Sequence, residues 1–425
     1  MVVSKGPPAV APCREACPAG IDVPRYLRYI AQGRFNEALA VIRERIPFPW
    51  VCGWACFHPC EARCRLKDID DPEAIRILKR FVSEQPESYG LAPGTQSIMP
   101  LKPAEAAALA VTPAVTATGK KVAVVGSGPA GLTAAYYLAK LGHAVTIFEA
   151  RPQPGGMMRW GVPPHRLPPE VVDREIEAIL RAGAEIKTGA EVNSLDDLSA
   201  QGYEAIFLGT GVYRATRDEP AEQGIPLGAV PRSFDLDLKD GKTFRVNESN
   251  LATSRKGVFA GGEAVLGRPS IISAIAHGRK AAAAIDRYLG GEGNIDEILA
   301  PPETTVPPWR WGLAIAPRVT PEIQDKVEQP IDAEAAITEA DRCLRCDLMI
   351  AADPDKCINC QICQMRCSLR RFGAFNPAKA AIKVYRLPSG EMHIEFTDDC
   401  DLCGLCARYC PYGAITREKV PAQAS

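Results

Sequence analysis

Apolar side chains recur at helical spacing over the first ninety residues and gather into unbroken β-branched runs further along the chain. Tyr26, Leu27 and Ile30 share one face of a stretch that Asp22 can cap and Pro24 can open. Phe35, Leu39, Ile42 and Ile46 mark a second amphipathic helix, from Phe35 to Ile46. From Lys120 the texture changes. Lys121 to Val125 is a continuous β-branched run, a glycine turn follows, a helix is predicted from Ala130 to Leu141, and Val145 to Phe148 forms the next strand. Strands alternating with helices indicate a parallel sheet of the α/β class. Residues 91–119 hold Pro93, Pro100, Pro103 and Pro113 among Ala and Thr, a linker composition with room for one short helix. After Gly293 comes a Pro-rich stretch with Trp309 and Trp311, expected to lie across other domains. The division that results is a helical segment 1–90, a linker 91–119, an α/β domain 120–292, a crossing segment 293–350 and a compact module 351–425.

The chain has 425 residues, and its 50 basic and 51 acidic side chains leave a formal charge of −1. No global field therefore favours nucleic acid or an anionic membrane surface. Met1 to Val10 has no apolar h-region, and no uncharged run approaches spanning length, so a cytoplasmic location is expected. Sixteen cysteines change the picture: six fall between Cys13 and Cys64, ten between Cys343 and Cys410, and none between Arg65 and Arg342. Without an export signal, clustered Cys-x-x-Cys spacings are better read as metal ligands than as a disulfide framework. The cysteine-free middle also argues against a thiol or disulfide reductase, which needs a redox pair beside its flavin.

Gly126-Ser-Gly128-Pro129-Ala130-Gly131 follows a predicted strand and opens a predicted helix. In that setting the glycines serve the tight turn, the approach of backbone to a pyrophosphate, and helix–sheet packing. The helix N-terminus supplies free N–H groups to the phosphates, and Glu149, at the end of the second strand, is placed to accept ribose hydroxyls. The fingerprint alone does not separate FAD from NAD. Three further phrases, Arg151-Pro-Gln-Pro-Gly155-Gly156, Phe207-Leu-Gly209-Thr210-Gly211 and Gly257-Val-Phe-Ala-Gly261-Gly262-Glu263, make residues 10–345 resemble the two-dinucleotide flavoprotein family, and within it the small subunit of glutamate synthase. The resemblance implies FAD, with Gly262 and Glu263 at the ribityl chain and a helix from Ser270 and Ile271 pointing at the flavin ring. The family has Asp where this chain has Glu263. Such proteins insert a nicotinamide domain between the second and third phrases, but Val212 to Lys256 spans only forty-five residues and has no glycine fingerprint. A βαβ unit alone takes about thirty residues, so a complete nicotinamide domain does not fit.

At the C-terminus, Cys357-x2-Cys360-x2-Cys363-x3-Cys367 precedes Cys400-x2-Cys403-x2-Cys406-x3-Cys410-Pro411. This is the spacing of bacterial two-cluster ferredoxins, in which the fourth cysteine of each run serves the other [4Fe–4S] cluster. Cys357, Cys360, Cys363 and Cys410 are thus assigned to one cluster, and Cys400, Cys403, Cys406 and Cys367 to the other. The insertion Phe372-Gly-Ala-Phe-Asn-Pro-Ala-Lys379 and Ser368 after Cys367 make the last seventy residues resemble the ferredoxin-type subunits that accompany tungsten aldehyde oxidoreductases.

Cys13-x3-Cys17-Pro-Ala-Gly and Cys52-Gly-Trp-Ala-Cys56-Phe-His-Pro-Cys60-Glu-Ala-Arg-Cys64 resemble the iron–sulfur domain of glutamate synthase small subunit and dihydropyrimidine dehydrogenase. Those relatives carry a further Cys-x2-Cys pair upstream; here the matching phrase, Ala340-Asp-Arg-Cys343-Leu-Arg-Cys346, follows the flavin domain. The resemblance implies that Cys343 and Cys346 return to join Cys13 and Cys64, while Cys17, Cys56 and Cys60 hold a fourth cluster. Its fourth ligand in the relatives can come from the next helix, which here offers Lys79 and Arg80, neither of them a ligand. Cys52 is the candidate in its place; the other reading makes it a buried free thiol.

The fold expected is a Rossmann-like FAD-binding domain flanked by an α-helical iron–sulfur domain and an α+β ferredoxin-like domain. The function expected is electron transfer between FAD, four [4Fe–4S] clusters and a catalytic oxidoreductase partner or soluble ferredoxin, in a hetero-oligomer of anaerobic metabolism. A tungsten aldehyde oxidoreductase is one such partner. The alternative is an NAD(P)H-dependent flavin reductase feeding its own clusters. His58 and His165 are read as packing or hydrogen-bonding residues, Trp50, Trp54, Trp309 and Trp311 as packing, and Arg370-Arg371 as a solvated face or a docking contact.

Overall fold

The computed structural model describes residues 3–5, 10–85, 116–212, 230–239, 241–303, 305–309 and 315–419. Most of the linker 91–119 and Trp311 lie outside them. Six short helices build the N-terminal part: α1 (Pro12–Ala16), α2 (Val23–Ala31), α3 (Phe35–Arg43), α4 (Pro49–Ala55), α5 (Pro59–Ala62) and α6 (Ile75–Glu84). Asp22 caps α2 by accepting the Arg25 N–H. Tyr26, Leu27 and Ile30 bury against Ala38, Leu39 and Ile42 of α3. Helix α3 stops at Arg43, short of Ile46. Pro47 disfavours a helical residue before it, and Ile46 still buries beyond the helix end.

The central domain is a five-stranded parallel sheet ordered Glu185–Thr188, Ala144–Glu149, Lys121–Val125, Ala205–Leu208, Val258–Ala260. The central strands are buried on both faces, which is why they read as continuous apolar runs. Helices Pro129–Lys140 and Ile271–Tyr288 press together at Gly278, where a Cβ would come within 2.5 Å of the Ala130 carbonyl.

In the C-terminal module, hairpin Ile382–Arg386/Met392–Phe396 packs with helices Ile362–Phe372 and Leu405–Arg408. A second small sheet pairs Met349–Ala352 antiparallel with Ile415–Glu418, and on its other edge with Val3–Lys5. Val3–Lys5 is thus stitched to the strand that opens the C-terminal module, a pairing that three residues of sequence do not announce.

The crossing segment runs over the N-terminal helices. Arg25 and Tyr29 donate to the carbonyls of Ala300 and Pro301, and Arg28 pairs with both Glu303 and Asp347. Glu328, in the hairpin Ile323–Gln324/Val327–Glu328, holds Arg76. Helix Ala333–Ala340 then delivers the Cys343 turn. Its fully buried Glu339 accepts the N–H of Ala74 and of Val319 and pairs with Arg342, which fixes the turn to the N-terminal domain.

Candidate functional site: a nucleotide crevice beside four thiol groups

A crevice of about 700 Å³ opens at the C-terminal ends of the parallel strands. That is within the usual range for a small-molecule site, and in an open parallel sheet this edge is where ligands bind. Gly126, Gly128, Pro129, Ala130, Glu149, Gly156, Thr210, Gly211, Gly262 and Glu263 all line it. Gly126 has φ +98°, and a Cβ there would sit 2.5 Å from the Gly209 carbonyl oxygen. A Cβ on Gly156 would sit 2.7 Å from Gly128 Cα, so the two glycine phrases interlock.

Four expected contacts lie off the lining. Gly131 presses against the Gly126 carbonyl and serves helix packing. Gly155 donates its N–H to Ser127 Oγ, beneath the surface. Ser270 caps its helix by accepting the Ser273 N–H, so neither it nor Ile271 reaches the crevice, which is met one turn later by Ala274. Glu149 also braces the loops around it. One carboxylate oxygen accepts the N–H and hydroxyl of Ser127, and the other accepts the Arg151 N–H at 2.9 Å. It therefore pins both loops, and the oxygen that accepts only the Arg151 N–H keeps a further lone pair for a ligand. Glu263 opens the short helix Glu263–Leu266, and burial pushes its carboxyl up.

Trp160 and Arg151 also line the crevice, the guanidinium 4.8 Å from the indole centroid. The indole N–H of Trp160 is buried without a partner, a donor left for whatever fills the space. Nothing in the sequence pattern singles out Trp160 except its place nine residues after Arg151.

All sixteen cysteines are free thiols. Cys357, Cys360, Cys363 and Cys410 line one cavity, and Cys367, Cys400, Cys403 and Cys406 a second. A third cavity is lined by Cys13, Cys64, Cys343 and Cys346. The remaining four, Cys17, Cys52, Cys56 and Cys60, bear on one another electrostatically, with Cys52 fully buried on α4. No three His, Cys, Asp or Glu among the described residues converge on a single-ion position. Thiols in fours around a cavity suit a polynuclear iron–sulfur group, each corner taking one sulfur.

The backbone repeats one device at all of these groups. The residue two after Cys56, Cys343, Cys357 and Cys400, namely His58, Arg345, Asn359 and Leu402, takes a left-handed conformation with φ between 45° and 62°. Non-glycine residues rarely adopt it, and a branched one such as Leu402 pays strain for it. One result is an amide turned toward sulfur: His58 N–H meets Cys56 Sγ at 3.3 Å, and Arg345 N–H meets Cys343 Sγ at 3.4 Å.

Burial pushes Cys13 and Cys343 well up, seconded at Cys13 by the neighbouring thiols and at Cys343 by the Glu73 carboxylate and then Cys346. Burial likewise lifts Cys64 to about 11 and Cys60, Cys346 and Cys363 to about 12. Thiolates are thus disfavoured until a cationic metal core compensates them.

Each group neighbours the next. Cys406 feels Cys363 across the C-terminal module, Cys346 feels Cys403 across the domain seam, and Cys13 feels Cys60 within the N-terminal part. The seam is clamped by Arg370, which pairs with Asp68 at 2.7 Å and Asp401 at 2.6 Å, and by Arg65 with Asp401. Arg370 is therefore an inter-domain bridge and not the solvated face expected. Trp309 donates to the Cys343 carbonyl and lies under Arg345 and Arg408. At the other end, Glu175 on helix Pro169–Leu180 accepts the N–H of Trp50 and Val51, tying the Cys52 turn to the nucleotide domain.

Residues 9–90 match the family model "Dihydroprymidine dehydrogenase domain II, 4Fe-4S cluster", 124–184 the "NAD(P)-binding Rossmann-like domain", and 353–414 the "4Fe-4S dicluster domain". The chain is 31% identical over 503 residues to NADP(+)-dependent formate dehydrogenase subunit beta of Moorella thermoacetica, covering 80% of this chain and 71% of that one. That span exceeds the length of this chain, so the relative carries residues this one lacks. It is 41% identical over 211 residues to NADPH-Fe(3+) oxidoreductase subunit beta of Geobacter sulfurreducens, with 48% of this chain matching only 29% of that one. Against glutamate synthase [NADPH] small chain of Escherichia coli it is 32% identical over 210 residues, 48% of this chain and 41% of that one. Among solved structures, a thioredoxin reductase from Gloeobacter violaceus superposes with a TM-score of 0.33 at 17% identity, over 40% of this chain and 95% of that one.

Proposed function

Because this chain belongs to the family of iron–sulfur oxidoreductase subunits that includes glutamate synthase small chain and the beta subunit of NADP(+)-dependent formate dehydrogenase, we propose that it conducts electrons between a bound FAD and a catalytic partner subunit. The observation that carries this reading is the unbroken succession of four thiol groups, from α4 beside the nucleotide domain to the C-terminal module. When bound, FAD exchanges electrons in ones or twos and each [4Fe–4S] cluster exchanges one.

The chain's own residues supply position and environment. The Gly126–Gly131 turn and the N-terminus of helix Pro129–Lys140 would hold a pyrophosphate; Glu149 fixes the loops that flank it. The orphaned Trp160 N–H and the half-buried Glu263 would offer further polar contacts within the crevice. Seven buried thiols, and the amides turned toward Cys56 and Cys343, would hold the clusters and help keep water off them. Exposed Ile358 and Tyr412 flank the Cys357 group, an apolar surface at the far end of the succession suited to a protein partner. A tungsten aldehyde oxidoreductase is the partner that the last seventy residues favour by resemblance.

A second reading draws on the nicotinamide cofactors in the relatives' names: NAD(P)H reduces the flavin directly at the open crevice. The short stretch between Val212 and Lys256 speaks against it. Anaerobic isolation from native cells separates the two. The first reading expects a larger catalytic subunit to copurify, and a flavin that NADH or NADPH alone leaves oxidised. Stoichiometric bleaching by either nucleotide establishes the second reading, and a lone monomer that rapidly oxidises its own organic substrate removes the first.

A further inference from the structure

Lys79 lies on α6 and is only 4% exposed. Its helix neighbours have conventional partners, Arg76 on Glu328 and Arg80 on Glu84. Lys79 makes no such ion pair among the described residues. Helices α4 and α6 touch backbone to backbone, since a Cβ on Gly53 would come within 2.6 Å of Arg80 Cα. Cys52 and Lys79 each stand one residue before that contact, and both side chains are buried. The ammonium there bears on Cys56, Cys52, Cys60 and Cys17. The other charged groups bearing on these thiols are Glu175 at Cys52, Arg76 at Cys56 and Glu61 at Cys60. Glu175 is itself held by the amides of Trp50 and Val51.

An ammonium buried without an anion is costly. Four neutral thiols do not relieve that cost, whereas four thiolates do. A lysine ammonium has three donors and no lone pair, so it cannot be a metal ligand while charged. Resting on the reading that Cys17, Cys52, Cys56 and Cys60 hold a cluster, we infer that Lys79 is a positioning residue whose buried charge faces these sulfurs and makes this site easier to reduce. One-electron reduction adds one negative charge to the thiolate-ligated site, makes and breaks no bond, and needs no proton, because the ammonium is already charged. A fixed cation therefore favours the reduced form over the oxidised one, in line with the sensitivity of cluster potentials to local charge and hydrogen bonds to sulfur. In the proposed electron path this is the site nearest the flavin, so the charge draws electrons off the crevice.

The test is an anaerobic, EPR-monitored potential titration of the full chain with dithionite, comparing Lys79→Met and Lys79→Arg with the parent. The signal of this site is identified as the one lost in Cys17→Ala. At the parent's midpoint, Lys79→Met is expected to lower the reduced-to-oxidised ratio of that signal at least tenfold, a shift of about 59 mV for one electron. Lys79→Arg is expected to stay within about threefold of the parent, with iron content unchanged in both. An unchanged midpoint in Lys79→Met overturns the inference and leaves the cluster reading intact. Full iron retention and an unchanged spectrum in Cys17→Ala overturn both. A second readout needs no variant: parent protein labelled with ¹⁵N-lysine should show a nitrogen coupling on this signal in pulsed EPR, and its absence contradicts the inference even if Lys79→Met fails to fold.

Discussion

The two iron–sulfur ends of this chain reach the same chemistry by opposite routes. In the C-terminal module, eight cysteines between Cys357 and Cys410 close two cavities around a single hairpin and two short helices. At the N-terminal end, one cavity joins Cys13 and Cys64 to Cys343 and Cys346, with the whole nucleotide domain between them in sequence. The first kind of site needs only local loops. The second exists only once the chain has folded back, so its assembly carries the closure entropy of a very long loop and is coupled to tertiary structure.

The contrast can be broken most decisively by removing ligands in matched pairs. Cys343→Ala with Cys346→Ala should lose about a quarter of the iron and cost about 4 kcal/mol or more of stability, the range for losing a structural metal. Cys357→Ala with Cys360→Ala should lose a similar share of iron, while thermal unfolding of the N-terminal part stays near that of the parent. Equal destabilisation by both pairs, followed by calorimetry with iron analysis, would erase the distinction. Glu339→Gln is next in size. It leaves Arg342 buried beside a neutral amide, for a loss of about 3 kcal/mol, and should release iron from the Cys343 group alone.

Smaller still is the seam between the ends. Arg370→Ala removes a partly exposed bridge to Asp68 and Asp401 and should cost about 1 kcal/mol or less, with every cluster retained. Burial raises the Asp401 carboxyl, but the Arg370 hydrogen bond and charge outweigh it and the net shift is downward from 3.8. The folded state therefore holds fewer protons there than the unfolded one. The bridge's contribution is whole above 3.8 and fades as pH falls through the lower folded value, so parent and variant should converge in acid. A denaturant series at neutral and acid pH, at low and high salt, checks both the size and the sign.

The same contrast explains what the sequence discloses. The Lys121–Val125 strand, the glycine turn and the Cys357–Cys410 spacing are local patterns with a local physical cause, and they are legible. The return of Cys343 and Cys346 is legible only because the phrase around them resembles one that relatives carry elsewhere. Trp160 carries no motif of its own, and the strand Val3–Lys5 and the Arg370 bridge leave no periodic trace, since each acts through a partner distant in sequence. Ser270 and Ile271 fall one turn short of the expected contact because a helix that points at a ligand must first be capped, and Ser270 does the capping. The left-handed residue inside each thiol loop escapes notice for a different reason. His58, Arg345, Asn359 and Leu402 share a backbone angle and no side-chain chemistry.

The central claim, one flavin joined to four cubane sites along a single chain, is tested most directly by counting iron, acid-labile sulfide and flavin together on the anaerobically isolated full-length protein. About sixteen iron, about sixteen sulfide and about one FAD per chain are expected. About eight iron and eight sulfide without flavin, the content of the C-terminal module alone, would contradict it.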